Sequence, residues 1–204
     1  MNYRFAYSIG FHPWEDAEGH SPFVEKITKI FEREEGGKTA PYGKALDIGC
    51  GSGVWGINLA KRGWDVTGVD IVEKALQRAH ERIKKENVNV KLVNDDVTEL
   101  HKIGNGFDLL LDTGTFHGLT HAQRIAMGKA INKIASQKAT ILLLVWDPKW
   151  RGPLPSGASR EEIESCFPDW KITHVELAAT EPEAIYKILK ANEQWYRLRR
   201  SESN

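Results

Sequence analysis

The chain is poor in cysteine, in net charge and in long apolar runs, and each shortage excludes a class of protein. Only Cys50 and Cys166 occur among 204 residues, too few for a disulfide scaffold, and they lack the spacing of metal ligands. Lys+Arg and Asp+Glu both number 28, which leaves no net charge to draw the chain toward nucleic acid or an anionic membrane. The densest basic run, Arg197-Leu-Arg-Arg200, is short and reads as a solvated strand end. No apolar stretch reaches the roughly 20 residues that span a bilayer. The opening MNYRFAYSIGFHPWEDAEG has no continuous apolar segment of the kind found in a secretory leader. The expectation is a soluble protein of a reducing compartment, the cytoplasm, with one sizeable core. Internal repeats and low-complexity segments are missing too.

What the chain does have is alternation. From Lys44 onward, short apolar runs at Ala45–Ile48, Asp65–Val69, Asn89–Val93, Phe107–Leu111 and Ala139–Trp146 read as strands. Between them, helical spacing runs over Ser52–Lys61, with Ser52 placed to cap it, over Val72–Lys85 and over Thr120–Ile134. Continuous apolar strands alternating with helices predict a parallel sheet covered on both faces. The tail differs. Arg151–Gly157 reads as a loop, Ser159–Cys166 and Glu183–Ala191 as short helices, and Trp170–Leu177 and Trp195–Arg199 as an antiparallel edge. Pro22–Glu35 has a helical apolar side in Phe23, Ile27, Ile30 and Phe31, preceded by an irregular segment with Trp14. Residues 1–40 are therefore expected to form a lid and helix, and residues 41–204 a single domain. Seven tryptophans are many for this length. Some belong to the core, and several suit a pocket for a flat or apolar ligand.

The stretch KALDIGCGSGVWG packs Gly49, Gly51, Gly53 and Gly56 into eight residues after the first strand. In an open parallel sheet ligands bind beyond the carboxyl ends of the strands, and glycines there let the backbone approach closely. Two ligand classes use such a loop. A dinucleotide sets its pyrophosphate on the helix N-terminus, and Gly51-x-Gly53-x-x-Gly56 formally fits it. S-adenosylmethionine instead carries an ammonium and a sulfonium. Asp47 separates the two, because a carboxylate roughly 4 Å from a phosphate costs about 1 to 4 kcal/mol, and beside a cation gains as much. The register agrees: Gly49, Gly51 and Gly53 form the turn, while Gly56 falls inside the helix, where it serves close helix–strand packing. Asp70, ending the second strand, is placed to accept from ribose hydroxyls in either class. In Asn94-Asp95-Asp96-Val97, Asp96 is placed for an adenine amino group and Val97 for the ring, whereas Asp95 reads as a solvated loop acid.

The ordered set ALDIGCGSG, TGVD, NDDV and FDLLLDTGTFHGL, over Lys44–Trp146, resembles class I S-adenosylmethionine-dependent methyltransferases. The resemblance implies an α/β, Rossmann-like three-layer sandwich. Its seven-stranded, mostly parallel sheet has order 3-2-1-4-5-7-6, with strand seven antiparallel. It implies that Asp47, Gly49, Gly51 and Gly53 surround the methionine portion of the cofactor, that Asp70 with Ile71 beside it holds the ribose end, and that Asp96 and Val97 hold the adenine. Asp112 and Thr113 would flank the methionine end and the transfer site. The early HPWEDA is similar to the small-molecule branch, which includes thiopurine and heterocyclic toxin methyltransferases. There a tryptophan-bearing N-terminal segment, here Trp14, closes over cofactor and acceptor.

The fourth strand is followed by Asp112-Thr-Gly-Thr-Phe-His117 and not by Asn/Asp-Pro-Pro-Tyr/Phe, which argues against DNA-adenine or glutamine-side-chain methylation. The expected partner is a small-molecule acceptor with an O, S or N nucleophile, with neither nucleic acid nor membrane, in a monomer or homodimer. Methyl transfer rests on proximity and alignment. Where the acceptor must lose a proton, His117 is the first candidate base, imidazole titrating near about 6.5, with His12 and His20 behind it. A nicotinamide-dependent oxidoreductase and a non-catalytic S-adenosylmethionine-binding protein are the rival readings.

Overall fold

A computed structural model describes residues 21–150, 152, 155–179 and 192–201 of the chain. The elements run α1 Ser21–Glu35, β1 Lys44–Ile48, α2 Val54–Arg62, β2 Asp65–Asp70, α3 Glu73–Glu86, β3 Val90–Asn94 and β4 Phe107–Asp112. A 3-10 turn at Phe116–Gly118 follows, then α4 His121–Ile134, β5 Ala135–Trp146, α5 Arg160–Cys166, β6 Trp170–Leu177 and β7 Glu193–Arg200. The strands form a seven-stranded sheet of order β3-β2-β1-β4-β5-β7-β6. β1 to β5 pair in parallel, and β7 runs antiparallel to both β5 and β6. The expected α/β architecture, strand order included, is the observed one.

The period-two alternation of the strands sorts their side chains into two cores. Leu46, Ile48, Leu110, Ile141 and Leu143 meet Met127 and Ile131 of α4 and Ile163 of α5 on one face. Ala45, Leu109, Leu111, Leu142 and Leu144 meet Phe23, Ile27 and Phe31 of α1 and Ile57 of α2 on the other. The N-terminal helix is thus part of the second core. Glu34 on α1 ties it to the sheet: its carboxylate accepts from Arg197 Nε at 2.6 Å and Nη2 at 2.9 Å, and from Thr140 Oγ1 at 3.2 Å.

That contact corrects the reading of the basic tail. Arg197 is paired with buried Glu34, Arg199 donates to Thr140, and Arg200 donates to the backbone oxygens of Asn132, Ala135 and Ser136 while lying over the Trp170 ring. The run is a set of staples between β7 and its neighbours, not a solvated end. A second correction concerns α2. It starts at Val54 behind Gly53, whose φ of 79° is left-handed, and Ser52 is buried and makes no cap. The expected short helix at Glu183–Ala191 lies outside the described residues. Among the described residues no helix is long and apolar enough to cross a membrane.

Candidate functional site at the carboxyl edge of the sheet

The ends of β1, β2, β3 and β4 bring the four acid-bearing segments to one edge. Gly49 opens the loop after β1 with φ 65°, and a Cβ there would lie 1.9 Å from Thr115 Oγ1. Thr115 Oγ1 also donates to the Ile48 carbonyl at 3.3 Å. The turn after β4 is therefore seated directly on the glycine loop, and only glycine fits beneath it. Sequence reasoning passed over Thr115, because the contact joins segments far apart in the chain.

Asp70 organises the same loop. Its Oδ2 accepts from the Gly51 amide at 2.9 Å and its Oδ1 from the Val72 amide at 2.8 Å. A carboxylate has about four acceptor positions, of which these amides take two. Ile71 beside it is 43% exposed, a bare apolar surface next to the loop. Asp96 Oδ1 accepts from the Thr98 amide and hydroxyl, and Val97 is buried in the first core. Asp95, expected to be solvated, is buried instead. It accepts from the Asp96 and Lys102 amides and closes the turn after β3. Trp14, His12 and His20 lie outside the described residues.

Asp112 is fully buried and accepts from three backbone amides, those of Gly114 and Thr115 at 2.8 Å and of Phe116 at 3.0 Å. Burial raises its pKa to about 6, against the pull of those amides. It shapes the turn that carries Thr113, Thr115 and His117. His117 is buried and stacks on Trp146 at the end of β5, with ring centroids 5.0 Å apart and planes at 23°. Trp146 in turn donates to Glu193 of β7 at 2.5 Å. Of the other described tryptophans, Trp64, Trp170 and Trp195 are buried and Trp150 is 86% exposed.

Asp47 carries the strongest electrostatic signal. It points to the α2 face of the sheet, where a Cβ on Gly56 would come within 3.1 Å of its Oδ2 and 3.6 Å of Val66. Gly56 is thus a helix–strand packing residue, and the formal dinucleotide pattern is an accident of register. Asp47 is 1% exposed, and among the described residues neither of its oxygens has a hydrogen-bond partner of good geometry. Burial raises its pKa to about 7; the Gly56 amide offsets part of this, and the charges of Asp112 and Asp70 add to it. An unmatched buried carboxylate is unfavourable by itself and fits a cofactor that brings positive charge, not one that brings phosphate.

A pH signature follows. The folded-state pKa of Asp47 lies above its ordinary 3.8, so unfolding releases the proton, and the ligand-free protein loses stability as pH rises between about 4 and 7. Asp112 adds in the same sense up to about 6. The carboxyls held low, Glu34 and Glu176, act only at more acid pH. Asp47→Asn is therefore expected to raise the thermal midpoint of the ligand-free protein at pH 8, with the gain shrinking toward pH 5. A gain independent of pH would contradict the unmatched charge.

Comparison with known proteins agrees with this geometry. Residues 45–137 match the family model described as a methyltransferase domain. An uncharacterized methyltransferase of Schizosaccharomyces pombe is 28% identical over 98 residues, covering 48% of this chain and 68% of that protein. The ubiquinone biosynthesis O-methyltransferase of Pectobacterium atrosepticum is 35% identical over 91 residues, 41% of this chain and 36% of that one. Among solved structures, magnesium protoporphyrin IX methyltransferase from Synechocystis with bound S-adenosylhomocysteine superposes with a TM-score of 0.73 at 16% identity, over 98% of both chains. The N-methyltransferase NodS from Bradyrhizobium japonicum, in complex with S-adenosylhomocysteine, gives 0.70 at 18% identity over 89% of both. The chain thus has the fold of S-adenosylmethionine-dependent methyltransferases, and its residues 45–137 are similar to a methyltransferase domain.

Proposed function

We propose that the protein transfers a methyl group to an O, S or N nucleophile of a small molecule, in the cytoplasm, as a monomer or homodimer without nucleic-acid or membrane partners. The observation that carries this reading is the turn after β4. It is held by Asp112 through three backbone amides and ends in the His117–Trp146 stack, an aromatic wall in place of a proline-rich amide-binding turn. The acceptors named for the O-methyltransferase and porphyrin methyltransferase relatives point the same way. In this reading residues 1–40 serve as lid and helix over a single domain of residues 41–204.

When bound, S-adenosylmethionine supplies a methyl carbon already activated by its sulfonium. Asp47 and the Gly49–Gly53 loop hold the methionine end, Asp70 and Ile71 the ribose end, and Asp96 and Val97 the adenine, with Thr113 beside the transfer site. His117 accepts the proton of an acceptor that must lose one, and Trp146 fixes the ring plane. Because Asp47 must be ionised to meet an ammonium, cofactor affinity should rise with pH through about 7. Incubation with methyl-labelled cofactor and a panel of thiols, phenols and heterocyclic amines tests the acceptor class. Label on at least one of them is expected, and label only on added RNA or protein overturns the reading.

A further inference from the structure

α4 carries one charged side chain that is 3% exposed, Arg124. Its guanidinium is used on every side. Nε donates to the Phe116 carbonyl at 3.1 Å, and Nη2 donates to the His117 carbonyl at 2.9 Å and the Gly157 carbonyl at 2.8 Å. Nη1 lies 2.8 Å from Glu162 of α5, and the group sits over the Phe116 ring. Gly157 belongs to the backbone that turns back onto β5, where the next amide, Ala158, donates to the Trp146 carbonyl at 3.0 Å. One cation therefore grips the backbone on both sides of the His117–Trp146 stack: directly at His117, and one peptide away from the strand end that bears Trp146.

A buried arginine is expensive to desolvate, and a core of this size does not need one. What it adds is direction. Only a planar fork with several N–H groups reaches three carbonyls on two segments and a carboxylate together; a lysine ammonium cannot. We propose that Arg124 is a positioning residue that sets the orientation of His117 against Trp146 and so fixes the acceptor side of the site, apart from the glycine loop that holds the cofactor. This rests on the reading of His117 as the acceptor-side base.

Histidine-labelled protein, with the His117 ring resonance assigned by its loss in His117→Asn, provides the test. In the wild type the Trp146 ring current is expected to shift the resonance. In Arg124→Lys that shift is expected to move toward the position of an unconstrained histidine. In the same variant kcat/KM for whichever panel acceptor turns over should fall tenfold or more, on the order expected for a misplaced catalytic group, with S-adenosylhomocysteine affinity unchanged. Glu162→Gln removes the ion pair and leaves the three carbonyl bonds, so a smaller change in the same direction is expected; it decides the matter if Arg124→Lys does not fold. An unmoved His117 resonance overturns the anchor, and so does a matching loss of cofactor affinity, which would mark general damage. Undiminished turnover in His117→Asn instead sinks the base reading and with it the catalytic consequence of the anchor, whatever the resonance does.

Discussion

Asp70→Ala is expected to weaken S-adenosylhomocysteine binding by at least a hundredfold. Two effects add. The Gly51 and Val72 amides lose their acceptors, at about 1 to 3 kcal/mol for a buried donor left unpaired, and the loop they hold loses its shape. In the proposed site the ribose hydroxyls lose their acceptor as well. A hundredfold corresponds to about 2.7 kcal/mol, within what these losses supply together. Calorimetric titration of folded Asp70→Ala checks it, and wild-type affinity would show that Asp70 neither shapes the loop nor meets the ribose.

Glu34→Ala is expected to destabilise the fold by about 3 kcal/mol or more, the range for removing one partner of a buried ion pair. The side chain is 4% exposed, and its loss leaves Arg197 without a carboxylate and the Thr140 hydroxyl without an acceptor, while Arg33 keeps its pair with Glu176. For a chain of this length that amounts to a fall of roughly 10 °C in the thermal midpoint. Arg197, Arg33 and Thr140 all hold Glu34 below its ordinary 4.5 against the opposing effect of burial, so its contribution is present above that value and lost as pH falls below it. The difference between variant and wild type should therefore narrow in acid. A shift of under about 2 °C at pH 7 would mean that the pair is as weak as an exposed one.

Much of the fold was legible because it rests on local signals. Strand alternation, helical spacing and the glycine run located β1 to β5 and the helices between them, and the position of Gly56 inside a helix exposed the false dinucleotide pattern. Asp47 was legible for the same reason: an acid two residues before a glycine turn has few places to point. The misses share a different cause. Thr115 on Gly49, Arg124 beneath His117, Trp146 against His117 and Arg197 on Glu34 all join segments distant in the chain, and nothing local marks them. Asp95 and the basic tail were misjudged because a charged residue in a loop or at a strand end is usually solvated. Here each is buried or half-buried by backbone amides, carbonyls or a counter-charge.

The central claim is that the glycine loop and the unmatched Asp47 together hold a cationic cofactor. Its most direct test is a calorimetric titration of the wild-type protein with S-adenosylmethionine at pH 8, repeated in buffers of different ionisation enthalpy at pH 6.5. Saturable binding is expected, tighter at the higher pH, with proton release at the lower one and none in Asp47→Asn. Absence of saturable binding at millimolar ligand, or binding with no proton release at the lower pH, would contradict it.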